Sequence, residues 1–181
     1  AHKLNQQFDV INSTGVLHHM EDPEAGWRSL CAILKPGGIM RISLYSELAR
    51  TRIVAARELI QQNGLRGELA DIKKCRAMIF DANPEHPLHA LIYSQDFYST
   101  SGCRDLLFHV QEHRFTLLQI QSIIQQLGLT LVGFETPADA ESKFMQEYPE
   151  SLLDLEKWHH FETQYPDTFT GMYQFWLQKI Q

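Results

Sequence analysis

Two short apolar runs on either side of an amphipathic segment open the chain and predict a strand, a helix and a second strand. Residues 8–12 (FDVIN) contain Val and Ile and are typical of a buried strand. Apolar residues recur at helical spacing from Trp27 to Leu34, behind Asp22 as a helix N-cap. Residues 38–46 form the next apolar run. A strand, a helix and a strand in this order predict two parallel strands with a right-handed crossover.

The pattern then becomes helical and carries no strand signal. Residues 48–62 and 68–80 have helical spacing, with several Arg and Lys. Residues 81–90 hold two prolines and two histidines, which is typical of a loop. Residues 96–115 contain Ser and Thr start signals followed by an apolar stretch that could be helical.

Regular elements return in the last third of the chain. Thr116 is a suitable cap for a helix that Gly128 ends. Residues 129–134 (LTLVGF) predict a strand, residues 151–163 a helix, and residues 172–180 a final strand.

Composition and charge narrow the class of protein. The chain has 181 residues, of which 44% are hydrophobic and 21% charged, as in an ordinary globular domain. A net charge of −6 without a cluster of Lys and Arg argues against nucleic acid as a partner. There is no apolar run of membrane-spanning length, and we expect no membrane partner. Three widely spaced cysteines predict reduced thiols in a cytoplasmic protein: Cys31, Cys75 and Cys103.

One long stretch resembles a known family. Residues 8–46, FDVINSTGVLHHMEDPEAGWRSLCAILKPGGIMRISLYS, closely resemble the second half of class I S-adenosylmethionine-dependent methyltransferases. In that family the fourth strand carries a pattern like FD-V---GVLHH--DP, and a helix, the turn LKPGG and the fifth strand follow. Residues 116–180 also look like the family's last helix and its antiparallel sixth and seventh strands.

The resemblance implies an α/β fold with a partial Rossmann-like sheet made of strands four to seven. The last strand would run antiparallel between residues 38–44 and residues 129–134. Residues 46–115 would be a helical insertion between strand five and the last helix, where many members of the family bind the methyl acceptor.

The family's glycine-rich E/D-x-G-x-G-x-G loop is not found in these 181 residues, nor is the acidic residue that holds the ribose hydroxyls. We therefore expect residues 1–181 to be the C-terminal part of a methyltransferase domain. The intact parent would use S-adenosylmethionine, and the fragment alone would be inactive. An alternative of another class is an interaction or regulatory module without catalysis.

The resemblance also assigns roles around the first strand. Asn12, Ser13 and Thr14 would face the methionine part of the cofactor, and His18 or His19 would face the acceptor. A neutral imidazole can accept a proton near pH 7. Alternatively, one histidine packs under the helix and the other is solvated. Methyl transfer often needs alignment rather than a base.

Other candidates lie further along the chain. Tyr45 ends the second strand and could point into the cleft or belong to the core. Arg104, His109 and His113 could contact the acceptor from the insertion, or could lie on a solvated helix face. No metal is expected. Residues 109–113 (HVQEH) nevertheless fit the H-x-x-E-H motif, so a zinc hydrolase is an alternative.

Two partner predictions follow. The negative net charge favours a small-molecule acceptor over nucleic acid. In an intact methyltransferase the strand at residues 8–12 would have a neighbour on each side. Without one of them it would be an apolar edge, open to self-association.

Overall fold

The computed structural model describes residues 6–109 and 111–180. Their contacts separate into two compact units. The sheet unit contains residues 6–49 and 111–180, and the helical unit contains residues 50–109.

A four-stranded mixed sheet forms the centre of the sheet unit. Its strands follow the order β1-β2-β4-β3, and only the pair β1–β2 is parallel. This confirms the predicted strand order and the antiparallel placement of the last strand. The strands are β1 (Phe8–Thr14), β2 (Leu34–Leu44), β3 (Leu129–Phe134) and β4 (Tyr173–Lys179).

The crossover between the parallel strands is helix α1 (Pro23–Ile33). The Asp22 carboxylate accepts a hydrogen bond from the Ala25 N–H at 2.9 Å, as expected of an N-cap. Strand β2 begins at Leu34, four residues before the predicted start. Leu34 pairs with Phe8, and the register then shifts because residues 35–38 bulge out of the pairing.

The core of the sheet unit lies on one face of the sheet. Met40, Ile42 and Leu44 of β2 are fully buried there. They belong to one apolar cluster with residues from helices α1, α5 (Leu117–Gln126), α6 (Ala138–Glu147) and α7 (Leu155–Gln164). Thr116 and Gln119 form a capping box at the start of α5. Helix α6 was missed, since only one of its side chains, Phe144, is buried.

The opposite face of the sheet is polar. Arg41 of β2 forms a bidentate ion pair with Glu135, at 2.7 Å for Nε to Oε1 and 2.5 Å for Nη2 to Oε2. The same guanidinium donates to Gln174 of β4 at 2.6 Å, and the Trp176 indole N–H donates to Glu135 at 2.7 Å. The alternation of buried apolar and half-exposed polar residues gives this sheet two chemically distinct faces.

The described part of the helical unit contains helices and no strand, as predicted. Its α-helices are α2 (Thr51–Gln62), α3 (Leu69–Phe80) and α4 (Thr100–Leu107). Short 3-10 helices occupy Pro87–Tyr93, where a loop was predicted in part, and Gln95–Phe97. Among the residues described, no helix has both the length and the apolar composition needed to cross a membrane.

Strand β1 forms one edge of the sheet, since it pairs only with β2 in the described part of the chain. Val10 is 55% exposed on this strand. We propose that a second copy of the chain pairs with this edge, because open backbone donors and acceptors recruit strands. Sedimentation of the 181-residue chain at micromolar concentration should show self-association. Val10→Lys should shift the same chain towards monomer. A monomer at every concentration would contradict the proposal.

Candidate active site

The two parallel strands end side by side, which places their following residues at one edge of the sheet. Thr14 at the end of β1 pairs with Ser43 near the end of β2. In open α/β sheets, ligands bind outside the carboxyl ends of parallel strands. The residues after β1 and after β2 are therefore the first candidates for a functional site.

The chain turns sharply after β1. Gly15 has a φ of +70°, a left-handed conformation that glycine adopts without strain. A 3-10 helix, Leu17–His19, follows. Leu17 is 1% exposed and belongs to the core of the sheet unit. The turn and this buried anchor fix the backbone that carries the two histidines.

His18, His19 and Tyr45 form an aromatic cluster. The His18 ring centroid lies 4.0 Å from that of Tyr45 and 4.3 Å from that of His19. His18 is fully buried, whereas His19 and Tyr45 are half-buried. The His19 Nδ1 atom lies 3.0 Å from the Gln111 carbonyl oxygen. The cluster therefore has one buried imidazole and two partly accessible rings.

Residues 111–115 run alongside this cluster and bond to the backbone of two of its residues. The His113 N–H donates to the His18 carbonyl at 2.8 Å, and the Phe115 N–H donates to the Tyr45 carbonyl at 2.9 Å. The structure therefore brings His113 to the same place as His18, His19 and Tyr45.

The three residues at the end of β1 point to different faces. Ser13 is buried, whereas Asn12 and Thr14 are exposed. The Thr14 hydroxyl donates to the Asn12 carboxamide at 2.9 Å and accepts from Arg41 Nη1 at 2.9 Å. Arg41 thus extends the polar face of the sheet to the carboxyl end of β1. Sequence reasoning missed Arg41.

Two other candidates lie in the helical unit. Arg104 donates from Nε to the Gly67 carbonyl at 3.1 Å, so its side chain contributes to local structure. His109 lies beyond α4, which ends at Leu107. The described residues of the H-x-x-E-H sequence are outside any helix. They therefore lack the i, i+4 geometry that the zinc motif requires. Within the described residues, no group of three potential metal ligands occurs.

A cavity of about 430 Å³ lies between the start of α1 and α5. The rings of the aromatic cluster do not line it, but it adjoins the cluster through His113, whose N–H donates to the His18 carbonyl. His113, Arg114 and Phe115 line one side. Its acidic lining residues stand at or next to the N-terminus of α1: Glu21, Asp22 and Glu24. Three carboxylates against one arginine give this cavity a net negative lining, which suits a cationic ligand.

A buried carboxylate lies next to the cluster. Glu162 of α7 is fully buried. It accepts a hydrogen bond from the Ser46 hydroxyl and another from the Tyr173 hydroxyl at 2.6 Å. Burial raises the pKa of Glu162, and the two hydroxyl donors oppose that change. Burial and the neighbouring Glu162 raise the pKa of Tyr173 as well.

Sequence reasoning missed Glu162, although a signal was present. Trp158, Phe161 and Glu162 stand at i, i+3 and i+4, so all three share one face of α7. Because Trp158 and Phe161 mark that face as buried, the glutamate had to be buried with them. A charged residue on an apolar helix face indicates a paired or functional group.

Replacing Glu162 by Gln should change how stability depends on pH. Because the pKa of Glu162 is raised in the folded state, its contribution to stability is fully present below the ordinary value of 4.5. The contribution is lost as pH rises through the raised pKa. Glu162→Gln cannot ionise, so its free energy of unfolding should rise relative to wild type as pH increases.

Urea unfolding from about pH 4 to about pH 8 tests this prediction. Glu156→Gln, at an exposed position on the same helix, is the matched control. If the difference in free energy of unfolding between Glu162→Gln and wild type did not vary with pH, the raised pKa of Glu162 would be contradicted.

Comparisons with known proteins agree with this fold. Residues 1–68 match a family model described as a methyltransferase domain. The chain is 34% identical over 142 residues to an uncharacterized protein of Synechococcus, covering 73% of this chain and 33% of that protein. It is 35% identical over 81 residues to phosphoethanolamine N-methyltransferase 1 of Arabidopsis thaliana, covering 45% of this chain and 16% of the relative.

Among solved structures, PKMT2 from Rickettsia typhi shares the fold, with a TM-score of 0.65 at 16% identity. The match covers 95% of this chain and 35% of that one. A second structure of PKMT2, in complex with AdoHcy, gives the same score and covers 97% of this chain and 36% of that one. The chain spans a third or less of the length of the two curated relatives. The methyltransferase-domain model matched by residues 1–68 and the fold shared with PKMT2 support the resemblance of this chain to class I S-adenosylmethionine-dependent methyltransferases.

Proposed function

We propose that the protein containing these residues transfers a methyl group from S-adenosylmethionine to a small-molecule acceptor. The observation that carries the proposal is the aromatic cluster at the carboxyl ends of β1 and β2, where ligands of open α/β sheets bind. The phosphoethanolamine N-methyltransferase relative supports the reaction class.

The end of β1 fits the methionine side of the cofactor. Asn12, Ser13 and Thr14 offer amide and hydroxyl groups there, and Gly15 has no atom within 4 Å of the position of a side chain. A ligand can therefore approach the backbone closely at this turn. S-adenosylmethionine, when bound, supplies a methyl group on a positively charged sulfur. The residues of this chain would bind and orient it from one side only.

The aromatic cluster would position the acceptor. His19 is half-buried, and its Nδ1 atom lies 3.0 Å from the Gln111 carbonyl oxygen. We propose that its imidazole takes a proton from the acceptor, the usual role of histidine as a general base. The buried His18 would support the rings of His19 and Tyr45. Alignment of the acceptor with the methyl group supplies most of the remaining rate enhancement.

The cavity beside the cluster favours a cationic acceptor. Glu21, Asp22 and Glu24 would attract a protonated amine, and Arg114 could hold an acidic group on the same molecule. An amine that also carries a phosphate or carboxylate group combines both features. The Arabidopsis relative is named for such a compound.

The test is transfer of a labelled methyl group by the natural full-length protein. The acceptors are phosphoethanolamine, other small amines, and a lysine-rich protein. We expect label on a small amine, whereas label on the protein alone would contradict the small-molecule acceptor. S-adenosylmethionine bound without transfer to any acceptor would favour the non-catalytic alternative.

Two further experiments test the role of His19 and the binding of S-adenosylmethionine by this chain alone. His19→Asn should lower kcat by about 10²-fold or more if the imidazole accepts the proton. His160→Asn, at an exposed position on α7, is its control. The 181-residue chain alone should bind S-adenosylmethionine weakly, and micromolar affinity by calorimetry would show that its residues suffice.

A further inference from the structure

We infer that Glu162 is a positioning residue of the acceptor site, acting with Ser46 and Tyr173 to fix Tyr45 against His18. The inference rests on the proposed function and adds a residue from the far end of the chain to that site. It follows from a buried hydrogen-bond network that none of the proposed steps uses.

The network joins three elements at one buried point. Ser46 lies just after β2, Glu162 lies on α7, and Tyr173 begins β4, and all three are fully buried. Each oxygen of the Glu162 carboxylate accepts one hydroxyl hydrogen bond. The Ser46 hydroxyl also accepts from the Ala49 N–H at 3.1 Å. Glu162 thus holds the chain where it leaves β2.

The segment held in this way carries Tyr45. Backbone hydrogen bonds of 2.9 Å run from the Phe115 N–H to the Tyr45 carbonyl and from the Glu47 N–H to the Phe115 carbonyl. Ser46 pairs with Phe115 in a parallel bridge. Tyr45 therefore sits between two fixed neighbours, and its ring meets His18 at 4.0 Å.

Simple packing does not explain a glutamate at this position. An apolar residue on the buried face of α7 would avoid the cost of removing a carboxylate from water. The carboxylate instead accepts from the hydroxyls of Ser46, just after β2, and of Tyr173 in β4, which ties both segments to α7. Such precision matters at a reaction site, where a displacement of about 1 Å can lower the rate about 10²-fold.

The first readout does not depend on catalysis. In wild type the Tyr45 ring should shift the proton resonances of the His18 ring in the NMR spectrum, since the two centroids are 4.0 Å apart. Ser46→Ala and Tyr173→Phe each remove one donor to Glu162, and each should reduce that shift. Glu162→Ala should abolish it, whereas Glu162→Gln can keep both contacts and should restore it.

The second readout is kinetic, in the natural full-length protein. Glu162→Ala and Ser46→Ala should lower kcat/KM for the acceptor about tenfold or more, leaving KM for S-adenosylmethionine unchanged. Ser151→Ala is the matched control, because Ser151 is also buried and its hydroxyl donates to the Pro149 carbonyl. It should lower stability without changing the His18 resonances or the acceptor kinetics.

The outcomes separate the inference from the proposed function. Suppose that the wild-type protein transfers methyl groups while Ser46→Ala and Tyr173→Phe leave the His18 resonances and the acceptor kinetics unchanged. That result would overturn the role of Glu162 and leave the proposed function standing. Should Glu162→Ala fail to fold, these two variants, each of which removes one donor, decide the question. Absence of methyl transfer by the wild-type protein with every acceptor would overturn both.

Discussion

Replacing Trp158 by Ala should lower the free energy of unfolding of the sheet unit by about 3–5 kcal/mol. Trp158 is 1% exposed. Its ring stacks on Phe144 with centroids 3.7 Å apart and an interplanar angle of 5°. Its indole N–H donates to the Leu152 carbonyl at 2.9 Å. The substitution would leave a cavity between α6 and α7 and a carbonyl without its donor.

Urea unfolding followed by circular dichroism measures this loss, and Trp176→Ala is the matched control. Trp176 also donates its indole N–H, to Glu135, but it lies half-exposed on the polar face of the sheet. Trp176→Ala should lower the free energy of unfolding by clearly less than Trp158→Ala does. Equal losses for the two variants would mean that the core is not on the α6–α7 side.

Replacing Gly38 by Ala should destabilise the parallel strand pair by about 1–3 kcal/mol. An added Cβ would lie 2.9 Å from the Lys35 carbonyl oxygen, 2.9 Å from a methyl carbon of Leu34 and 3.0 Å from the Asp9 carbonyl oxygen. Two of these atoms belong to the backbone and cannot rotate away. Because Asp9 is in β1, relief requires β1 to move relative to β2.

Gly133→Ala is the control for this effect. Gly133 lies in β3, where an added Cβ meets nothing within 4 Å. The substitution should leave stability unchanged or raise it slightly, since Ala restricts the unfolded chain. Thermal unfolding of both variants compares them, and equal midpoints would contradict the close approach of β1 and β2 at Gly38.

Much of the fold could be predicted because its signals are local. Strand β1, the N-cap at Asp22 and the capped helix α5 each follow from a few neighbouring residues. The strand order came from the family resemblance. Helix α6 was missed because a helix that buries one side chain has no apolar stripe. The early start of β2 depends on pairing between Phe8 and Leu34, which no local pattern shows.

The candidate site was only partly predictable, for a related reason. The aromatic cluster joins the loop after β1 to the end of β2. Parallel pairing of these two strands predicts that their carboxyl ends lie close together. The sequence offered burial of one histidine as an alternative, but it did not show that His18 is the buried one. The Glu162–Ser46 bond and the Arg41–Glu135 pair join residues about a hundred positions apart. Such contacts follow from tertiary packing, which the local sequence does not encode.

We propose that methyl donor and acceptor meet at the carboxyl ends of β1 and β2. The most direct measurement is the change in amide NMR chemical shifts when S-adenosylhomocysteine is added to the natural full-length protein. We expect the largest changes at residues 12–15, with smaller ones at His18, His19 and Tyr45. Changes confined to the groove between β3 and α7, around Leu131 and Leu155, would contradict a site at the ends of β1 and β2.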